Sequence, residues 1–548
     1  MQQIIKKGIS FSFFLFYITS SAIAQEQSNS KNAGELHGNF QTDIQYYNTD
    51  TLIGAPIVPE KVRMNGFANL TYTRDKISAG LRYESYLNAL QGFDPRYKGN
   101  GIMFRYVDFN NDNLQVTAGS FYEQFGNGLI LRSYEERGLG FDNAFDGFRL
   151  KYTLLKGIRL TGFIARQRSF FEYGPGIVRG LDGDVSLNEI IEGLAESKTK
   201  LFFGGSFVSK YQQDQDPIYK LPENVGAMSG RAKLISGGFS LNAEYAYKIN
   251  DPTATNNLIY KPGDALFLSA AYSQKGFGAT FSAKRIDNMD FRSDRASTGN
   301  NLNLNFLPAL TRQHTYNLAA SIYPYASQPN GEVAFQGEVI YTIKKGSALG
   351  GEYGTTVIGN YSQVFGLDST TSFDGHGYSS KYGSVGQVYF KDFNIEIQRK
   401  LNANLKMTLF YANFVYNKDV VQGLRGYGTI YADIFIADVT YKINKKNAIR
   451  TELQSLTTKK DEGSWATALV EYTIVPSWFF AIMDQYNYSN PVLEKRLHYP
   501  IGIVGFIKNA TRIQLSYGRQ RAGIFCVGGI CRLVPASNGL TLTLSSSF

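Results

Sequence analysis

The last ten residues, GLTLTLSSSF (Gly539–Phe548), alternate strictly between apolar and polar side chains. Leu540, Leu542, Leu544 and Phe548 share one face, and the threonines and serines between them occupy the other. Alternation with a period of two is the pattern of a β-strand that has one apolar face. Such regularity at a terminus is unusual, because the last residues of most domains are poorly ordered. The sequence therefore predicts that the chain ends in a strand of its main sheet.

Alternation of the same kind recurs along the chain. It is clearest in five windows, which are Leu36–Tyr47, Ile77–Leu87, Phe239–Lys248, Phe435–Asn444 and Thr511–Gly518. In each window apolar side chains share one face, and polar or charged side chains share the other. Because an unpaired charge is costly to bury, the charged faces cannot lie in a dry core. A barrel in a lipid bilayer satisfies both faces, with apolar side chains on hydrocarbon and polar ones in a wet lumen.

Short polar turns and longer irregular connections largely alternate between the predicted strands. The short ones include Thr73–Lys76, Asn110–Asn113 and Lys445–Asn447, and the long ones include Asn48–Lys61, Gln91–Asn100, Gln212–Asn224, Asp251–Gly263, Asp368–Tyr382 and Asn487–Leu497. Membrane barrels have short turns on one side of the bilayer and long loops on the other. Closure also pairs every backbone group, which hydrocarbon requires.

The sequence therefore predicts an all-β protein, a single large transmembrane antiparallel β-barrel whose last strand ends at Phe548. Counting up and down from that end gives about 22 to 26 strands, with about 26 as the best count. The higher count requires two weakly patterned segments, Gly176–Leu187 and Asn303–Ala309, to be strands. If they are not, either the topology loses its up-and-down alternation or some of the long connections face inward.

The N-terminus has the three parts of a secretory signal peptide. Lys6 and Lys7 precede an apolar stretch, Ile9–Ile18, which is followed by the small-residue motif Ala22-Ile23-Ala24. The alternative, a transmembrane anchor, is disfavoured because the apolar stretch is too short to span a bilayer. We therefore expect cleavage after residue 24, a short lead over 25–33, a barrel over 34–548, and an integral outer-membrane location in a bacterium. That order leaves no room for a plug domain before the barrel.

A glycine-rich, charged stretch, Phe121–Leu150, departs most from simple alternation. Irregular backbone of this kind suits a loop that is folded into the lumen, where it would form a charged constriction. Its alternative is an external loop that satisfies its own polar groups. A following arginine cluster could join the constriction or form salt bridges between neighbouring strands. The candidate constriction residues are Glu123, Arg132, Glu135, Glu136, Arg137, Arg166, Arg168 and Arg179.

The sequence CVGGIC places Cys526 and Cys531 on either side of a glycine pair. If the glycines form a two-residue hairpin turn, Val527 pairs with Ile530 and the cysteines face each other. Directly opposed strand residues lie within disulfide range, and an exported protein permits the bond. The sequence therefore predicts a disulfide at the tip of a loop.

Nothing in the sequence predicts catalysis or a bound cofactor. The four histidines, His37, His314, His376 and His498, lie in no recognisable nucleophile or metal motif. An enzyme would need a serine or aspartate within hydrogen-bond reach of one of them. The formal net charge of +10 is modest for 548 residues, and no nucleic-acid partner is expected. We expect no enzyme, no cofactor and no metal site.

Three longer stretches resemble a family of uncharacterised outer-membrane β-barrel proteins from Bacteroidota. They are GSFYEQFGNGLILRSYEERGLGFDNAFDGFRL (residues 119–150), NFLPALTRQHTYNLAASIYPYASQPNGE (residues 305–332) and AGIFCVGGICRLVPASNGLTLTLSSSF (residues 522–548). The family has a domain-of-unknown-function label and a porin-like architecture. The resemblance implies a location and a fold, but no substrate and no reaction.

Two functional hypotheses remain open. The first is a porin-like channel for small hydrophilic solutes. The second is an accessory barrel with a blocked lumen that binds partners of protein export or envelope assembly. The two differ in whether Phe121–Leu150 and Ser169–Lys200 leave the lumen open or fill it. Either way we expect contact with outer-membrane lipid, and with the barrel-assembly machinery through the terminal strand, whose apolar face (Leu540, Leu542, Leu544 and Phe548) resembles an assembly signal.

Overall fold

The computed structural model describes residues 34–372, 375, 377–527 and 530–548, with the backbone alone for 525–527 and 530–532. The expected signal peptide and lead, over residues 1–33, lie outside the described residues, and so does His376. The side chains of the two cysteines are also outside the described part.

Strands form most of the described chain, and their bounds follow in chain order. They are β1 (Glu35–Asn48), β2 (Val62–Arg74), β3 (Ile77–Leu87), β4 (Gly99–Asn111), β5 (Leu114–Phe121), β6 (Glu135–Glu136), β7 (Phe141–Asp142), β8 (Phe145–Leu155), β9 (Ile158–Ser169), β10 (Glu172–Ser186), β11 (Thr199–Tyr211), β12 (Asn224–Ser236), β13 (Phe239–Lys248), β14 (Gly263–Gln274), β15 (Phe277–Asp287), β16 (Gly331–Ile343), β17 (Thr355–Thr371), β18 (Tyr378–Lys400), β19 (Leu405–Asn417), β20 (Thr429–Lys442), β21 (Asn447–Thr457), β22 (Trp465–Ile474), β23 (Trp478–Asn487), β24 (His498–Lys508), β25 (Thr511–Gln520), β26 (Gly523–Val527), β27 (Ile530–Val534) and β28 (Ser537–Ser547).

Helical structure in the described residues is limited to single turns. The α-helical turns are Leu187–Ile190, Asn317–Ser321 and Lys418–Val421, and the 3-10 turns are Arg137–Leu139, Glu192–Leu194, Ala254–Asn256 and Leu493–Lys495. None of the helices in the described part has the length and hydropathy of a membrane span.

Twenty-four of the strands form one antiparallel sheet that closes on itself. Each strand pairs with the next one in the barrel, and β1 completes the ring by pairing with β28. The remaining strands form two small ladders, β6 with β7 and β26 with β27. The predicted fold class, a single closed antiparallel barrel, is confirmed.

The barrel has 24 strands, which lies within the predicted range of about 22 to 26, although the best count of about 26 is wrong. Gly176–Leu187 lies almost wholly in β10, as predicted. Asn303–Ala309 is not a strand, and within it only Asn303 forms an isolated bridge, with Arg292. That segment belongs to a long connection inside the barrel, which is the alternative that the strand count had left open.

The closing seam has the two faces that the terminal pattern predicts. Leu542 of β28 lies opposite Ile44 of β1 and Leu515 of β25, so apolar side chains share the outer face. On the inner face the Thr543 hydroxyl donates to the Asp43 carboxylate at 2.8 Å. Leu540 and Leu544 share the outer face with Leu542, and the backbone of Phe548 pairs with Gly38 at 2.9 and 3.0 Å. A role of this strand in assembly stays a prediction.

Large apolar side chains are exposed all around the outer face. Examples from well-separated strands are Leu81, Val107, Leu181, Phe281 and Ile482, whose exposed fractions run from 38% to 70%. Inward positions on the same strands carry polar, charged or buried apolar side chains. The barrel therefore has an apolar exterior and a mixed interior.

The two ends of the barrel differ in their connections. At one end, here called the turn rim, most connections are tight, such as Asp75–Lys76 and Asp112–Asn113. Strand β1 begins at this rim, and strand β28 ends there. At the other end, the loop rim, most of the connections are longer. Two of them fold into the interior: the first inner segment, residues 122–144, and the second inner segment, residues 288–330.

Candidate functional site

The two inner segments are joined to each other inside the barrel. The Arg132 amide donates to the Leu304 carbonyl at 2.8 Å, and the Phe306 amide donates to Gly128 at 2.9 Å. The Asn143 side chain adds a bond to the Asn303 carbonyl at 2.9 Å. Gly128 has φ +91°, a left-handed conformation that favours glycine. The segments thus form one body, here called the internal plug.

Apolar packing attaches the plug to the barrel wall. In one half of the plug, the side chains of Leu129, Ile130, Leu131, Phe291 and Leu304 are at most 2% exposed. They lie against inward side chains of β9 to β15, namely Phe163, Ala165, Val178, Val208, Val225, Ala227, Ala246, Ala265 and Ile286. In the other half, residues 310–325 pack on inward side chains of β16 to β22, which include Phe390, Phe414, Tyr416, Ile430, Leu456 and Trp465. Burial of this kind is the main stabilising contribution to a packed core.

A buried quartet of charges ties the first inner segment to β3 and β9. Arg168 contacts Glu84 and Asp142, both at 2.6 Å, and Arg82 contacts Glu84 at 2.8 Å and also Asp142. These four side chains are between 1% and 7% exposed. Burial alone would raise the pKa of the Asp142 carboxyl, but Arg168 and Arg82 outweigh it and hold that pKa below its ordinary value. The quartet is fully paired, as buried charges must be.

The tip of the first inner segment is held by the wall of β13. Both the amide and the side chain of Asn127 donate to Glu244, at 2.6 and 2.7 Å. Gly126 has φ +53°, and a Cβ at that position would lie 2.5 Å from the Glu244 carboxylate. Glycine suits this position because its backbone is left-handed, and a larger residue would displace the Glu244 carboxylate. At its start, the segment is held by Glu123, which contacts Arg149 at 3.2 Å and Lys151 at 2.8 Å.

The second inner segment follows an acidic part of the wall. Arg312 donates to Asn394 at 2.7 Å and contacts Glu396. His314 lies 2.7 Å from Asp392, and the Leu318 amide donates to Gln454 at 2.9 Å. These contacts attach the segment to inward side chains of β18 and β21.

Six of the eight predicted constriction residues are in contact with plug or wall groups. Glu123 and Arg168 belong to the anchors described above. Glu135 contacts Arg82 at 2.9 Å and Arg137 at 2.7 Å, and Glu136 accepts from the Gly138 amide at 3.2 Å. The Arg132 guanidinium stacks over Tyr134 and Phe306, at 4.6 and 4.0 Å from the ring centres. The six therefore hold the plug together. Of the two alternatives for Phe121–Leu150, the structure supports the loop that is folded into the lumen, over residues 122–144.

The other two predicted constriction residues, Arg166 and Arg179, are placed on the outer face. Both are exposed, whereas their chain neighbours Ala165 and Val178 are buried inside. The reason is the two-residue period of a strand, which turns alternate side chains to opposite faces. Arg166 and Arg179 cannot line the lumen.

Inward side chains near the loop rim are buried on strand after strand. Those that are at most 4% exposed include Tyr47, Glu84, Val178, Lys210, Lys248, Glu332, Val364, Tyr416, Leu456, Trp465 and Gln485. Near the turn rim the inward side chains are accessible, as at Asn39, Arg159, Lys233, Lys406 and Arg512. The inward wall is therefore covered at these positions towards the loop rim, whereas the inward side chains near the turn rim line a polar bowl that is accessible there.

The sequence analysis left an inward connection around Asn303–Ala309 open as an alternative but did not identify residues 288–330 as an inner segment, although the chain contains a signal for it. Pro308, Pro324 and Pro329 all lie within residues 288–330. Proline cannot donate to a strand ladder and is rare within a closed sheet. Three prolines in one connection argue against a barrel strand at Asn303–Ala309.

Two of the three described histidines lie beside an aspartate. They are His314, with Asp392, and His498, whose Nδ1 lies 2.6 Å from Asp484. Both aspartates thus lie within the hydrogen-bond reach that the sequence analysis named as a requirement for an enzyme. His314 packs against Phe410 and Phe414, and within the described part of the chain neither histidine also has a serine, threonine or cysteine at hydrogen-bond distance. The same part contains no group of three or more potential metal ligands. The pair at His314 serves as an anchor of the plug.

The backbone register at the β26–β27 hairpin is the one that the cysteine motif predicts. Cys526 lies opposite Cys531, and Val527 lies opposite Ile530. The disulfide itself stays a prediction, because the two side chains lie outside the described part.

We expect that Cys526 and Cys531 form this disulfide in the exported protein. Denatured but unreduced protein should then take up no thiol-reactive maleimide, and reduction should expose two sites. The Cys526→Ser variant is the control, and it should take up one label without reduction. Labelling of both cysteines in the unreduced protein would contradict the prediction.

Comparison with known proteins gives a family and a set of distant barrels. A model described as a family of unknown function (DUF6029) matches residues 5–548. No curated protein matches the chain. Among solved structures, the siderophore receptor PirA from Pseudomonas aeruginosa is 9% identical, with a TM-score of 0.41 over 95% of this chain and 81% of that one. OccD3 (OpdP) of the same organism is 10% identical, with a TM-score of 0.36 over 82% and 93%. OccK8 (OprE), also from that organism, is 8% identical, with a TM-score of 0.36 over 95% and 99%.

Proposed function

The chain belongs to the family of unknown function DUF6029, whose description names no activity. We propose that it is an outer-membrane β-barrel with a lumen closed by its own internal plug. Of the two hypotheses from the sequence, we favour the accessory barrel that binds partners of export or envelope assembly. The porin-like channel for small hydrophilic solutes is the alternative that the test below must exclude.

The membrane location is supported by the outer face. Side chains such as Val107, Leu181 and Ile482 are 54% to 70% exposed, which would be costly in water. Closure through β1 and β28 leaves no unpaired sheet edge, as hydrocarbon requires. The expected signal peptide would direct the chain to export.

The observation that carries the proposal is the burial of inward side chains near the loop rim. A general channel needs a water-filled path, and inward residues along such a path would be exposed to solvent. Val178, Lys210, Lys248, Glu332 and Val364, from five different strands, are all 0% exposed. The plug covers each of these parts of the wall with packed side chains.

The accessible part of the interior suits a partner more than a solute. The bowl carries both basic and acidic side chains, among them Arg159, Lys233, Asp184 and Glu471, and it is accessible at the turn rim. Outer-membrane barrels have their short turns in the periplasm, so we place the turn rim on that side. Short turns and a polar bowl at this end offer a surface for a soluble envelope protein.

Conductance of the purified full-length protein in a planar lipid bilayer tests the proposal. We expect that folded protein inserts and gives no stable current steps, because the plug closes the lumen. Heat-dependent gel mobility and β-type circular dichroism verify that the inserted protein is folded. Stable steps from the unaltered protein would contradict closure and would restore the porin-like hypothesis.

A further inference from the structure

The two outward arginines, Arg166 and Arg179, lie next to each other on the outer face. In the β9–β10 ladder Arg166 pairs with Ile177, and Arg179 pairs with Ile164. The arginines are thus diagonal neighbours, for which the typical separation is about 7–8 Å. Two guanidinium groups at that spacing can reach one common anion.

Neither arginine has an ion-pair or hydrogen-bond partner within the described residues. Asp146 is the strand neighbour of Arg166. Its carboxylate is already bound, by Arg105 at 2.7 Å and by the Tyr173 hydroxyl at 2.6 Å. Glu172, at the start of β10, is exposed and lies further towards the loop rim. Both guanidinium groups are therefore free to bind an external ligand.

An apolar surface lies between these arginines and the turn rim. Outward side chains on β8 to β11 include Phe148, Ile164, Leu181 and Phe207, which are 46% to 59% exposed. On β9 and β10 the outward positions closer to the turn rim are Leu160, Gly162, Gly183 and Val185, and none of them is charged. The arginines thus lie at the edge of this apolar surface that is nearer to the loop rim.

An arginine at the edge of a membrane-facing apolar surface lies at the level of the lipid headgroups. Guanidinium groups bind phosphate through paired hydrogen bonds, and they are less strongly hydrated than lysine. We propose that Arg166 and Arg179 form a binding site for the phosphate of an anionic membrane lipid whose acyl chains lie on Ile164, Leu181 and Phe207. The proposal rests on the membrane location that is proposed above.

Native mass spectrometry of the full chain in detergent measures this binding. Phosphatidylglycerol and phosphatidylcholine serve as probes in separate titrations. We expect the unaltered protein to prefer phosphatidylglycerol, and the double variant Arg166→Gln/Arg179→Gln to bind it roughly tenfold more weakly, about 1.4 kcal/mol. A matched control, Lys445→Gln/Lys446→Gln, removes the same charge at the turn rim and should retain the preference. The variant Arg166→Lys/Arg179→Lys keeps the charge without the paired geometry and should fall between the two.

Three outcomes decide the proposal. Equal phosphatidylglycerol affinity in the glutamine variant and the unaltered protein would overturn the site. Displacement of the lipid by inorganic phosphate at equal concentration would overturn the assignment to a lipid and leave a free-phosphate site. Vesicle insertion of all four proteins reports separately on the membrane location, because the arginine variants should insert as the unaltered protein does. If none inserts, the proposed location fails, whatever the titration shows.

Discussion

Replacing residues 290–329 by a short glycine–serine linker is expected to convert a silent barrel into one that carries stable ionic currents. These residues form most of the second inner segment, which covers the inward faces of β16 to β22. Their removal exposes that half of the interior to water from rim to rim. The remaining wall keeps charged inward groups such as Asp392 and Glu396, which favour a hydrated path.

The barrel itself should tolerate the replacement. Asp287 and Gly331, which flank the segment, already pair with each other in the β15–β16 ladder, so a short linker can join them. The strand ladder does not depend on the plug, because each barrel strand pairs with its two neighbours. Inward residues such as Phe390 and Tyr416 lose the plug side chains that pack on them. This loss will lower the free energy of unfolding but will leave the hydrogen bonds between the barrel strands in place.

A matched control is a replacement of residues 345–353, between β16 and β17, by the same linker. This connection is largely exposed and lies at the turn rim, outside the plug. The control should insert and remain silent in the same planar bilayer. The idea that the plug is the barrier fails if the 290–329 variant folds and inserts but gives no current.

Arg168→Ala is expected to lower the free energy of unfolding by about 3–5 kcal/mol, because it leaves buried carboxylates without their partner. Arg168 is 1% exposed and contacts both Glu84 and Asp142 at 2.6 Å. Arg82 remains, but one guanidinium cannot satisfy both carboxylates. Arg168→Lys should lose less, since an ammonium restores the charge but not the paired hydrogen bonds.

Urea unfolding in detergent, followed by the fluorescence of Trp465 and Trp478, measures this loss. The control is Arg96→Ala, which removes an exposed pair with Asp94 of similar geometry, at 2.8 Å and with 57% of the arginine exposed. Exposed pairs contribute about 0–1 kcal/mol, so the control should change little. Because the plug could detach before the barrel unfolds, protease cleavage within residues 122–144 is the second measurement. Equal effects of the two variants on both measurements would contradict the role of the quartet.

The neighbouring residues Arg166 and Arg168 show where prediction from the sequence stops. Alternation assigns both to one face of β9, yet Arg166 is exposed outside and Arg168 is buried inside. The strand loses its regular geometry there, since the register of the β9–β10 ladder shifts at Tyr173 and Phe170 has φ +57°. Arg168 turns inward because Glu84 and Asp142, far away in sequence, are there to pair with it.

The sequence by itself determined the barrel. Its two-residue period assigned the faces of the strands, and the pattern of Gly539–Phe548 predicted the seam that β28 forms with β1. Such patterns are local, because a strand with one apolar face is recognisable without its partners. For Phe121–Leu150 the sequence left an inward and an external loop as alternatives, and the structure shows residues 122–144 folded inward.

Only the tertiary structure decided what fills the interior. The plug is made by contacts between residues that are far apart in the chain, such as Asn127 with Glu244 and Arg312 with Glu396. No period in the sequence marks such contacts, since they depend on which groups the closed barrel brings face to face. The barrel was therefore predictable from local alternation, whereas the internal plug follows from packing that exists only once the ring is complete.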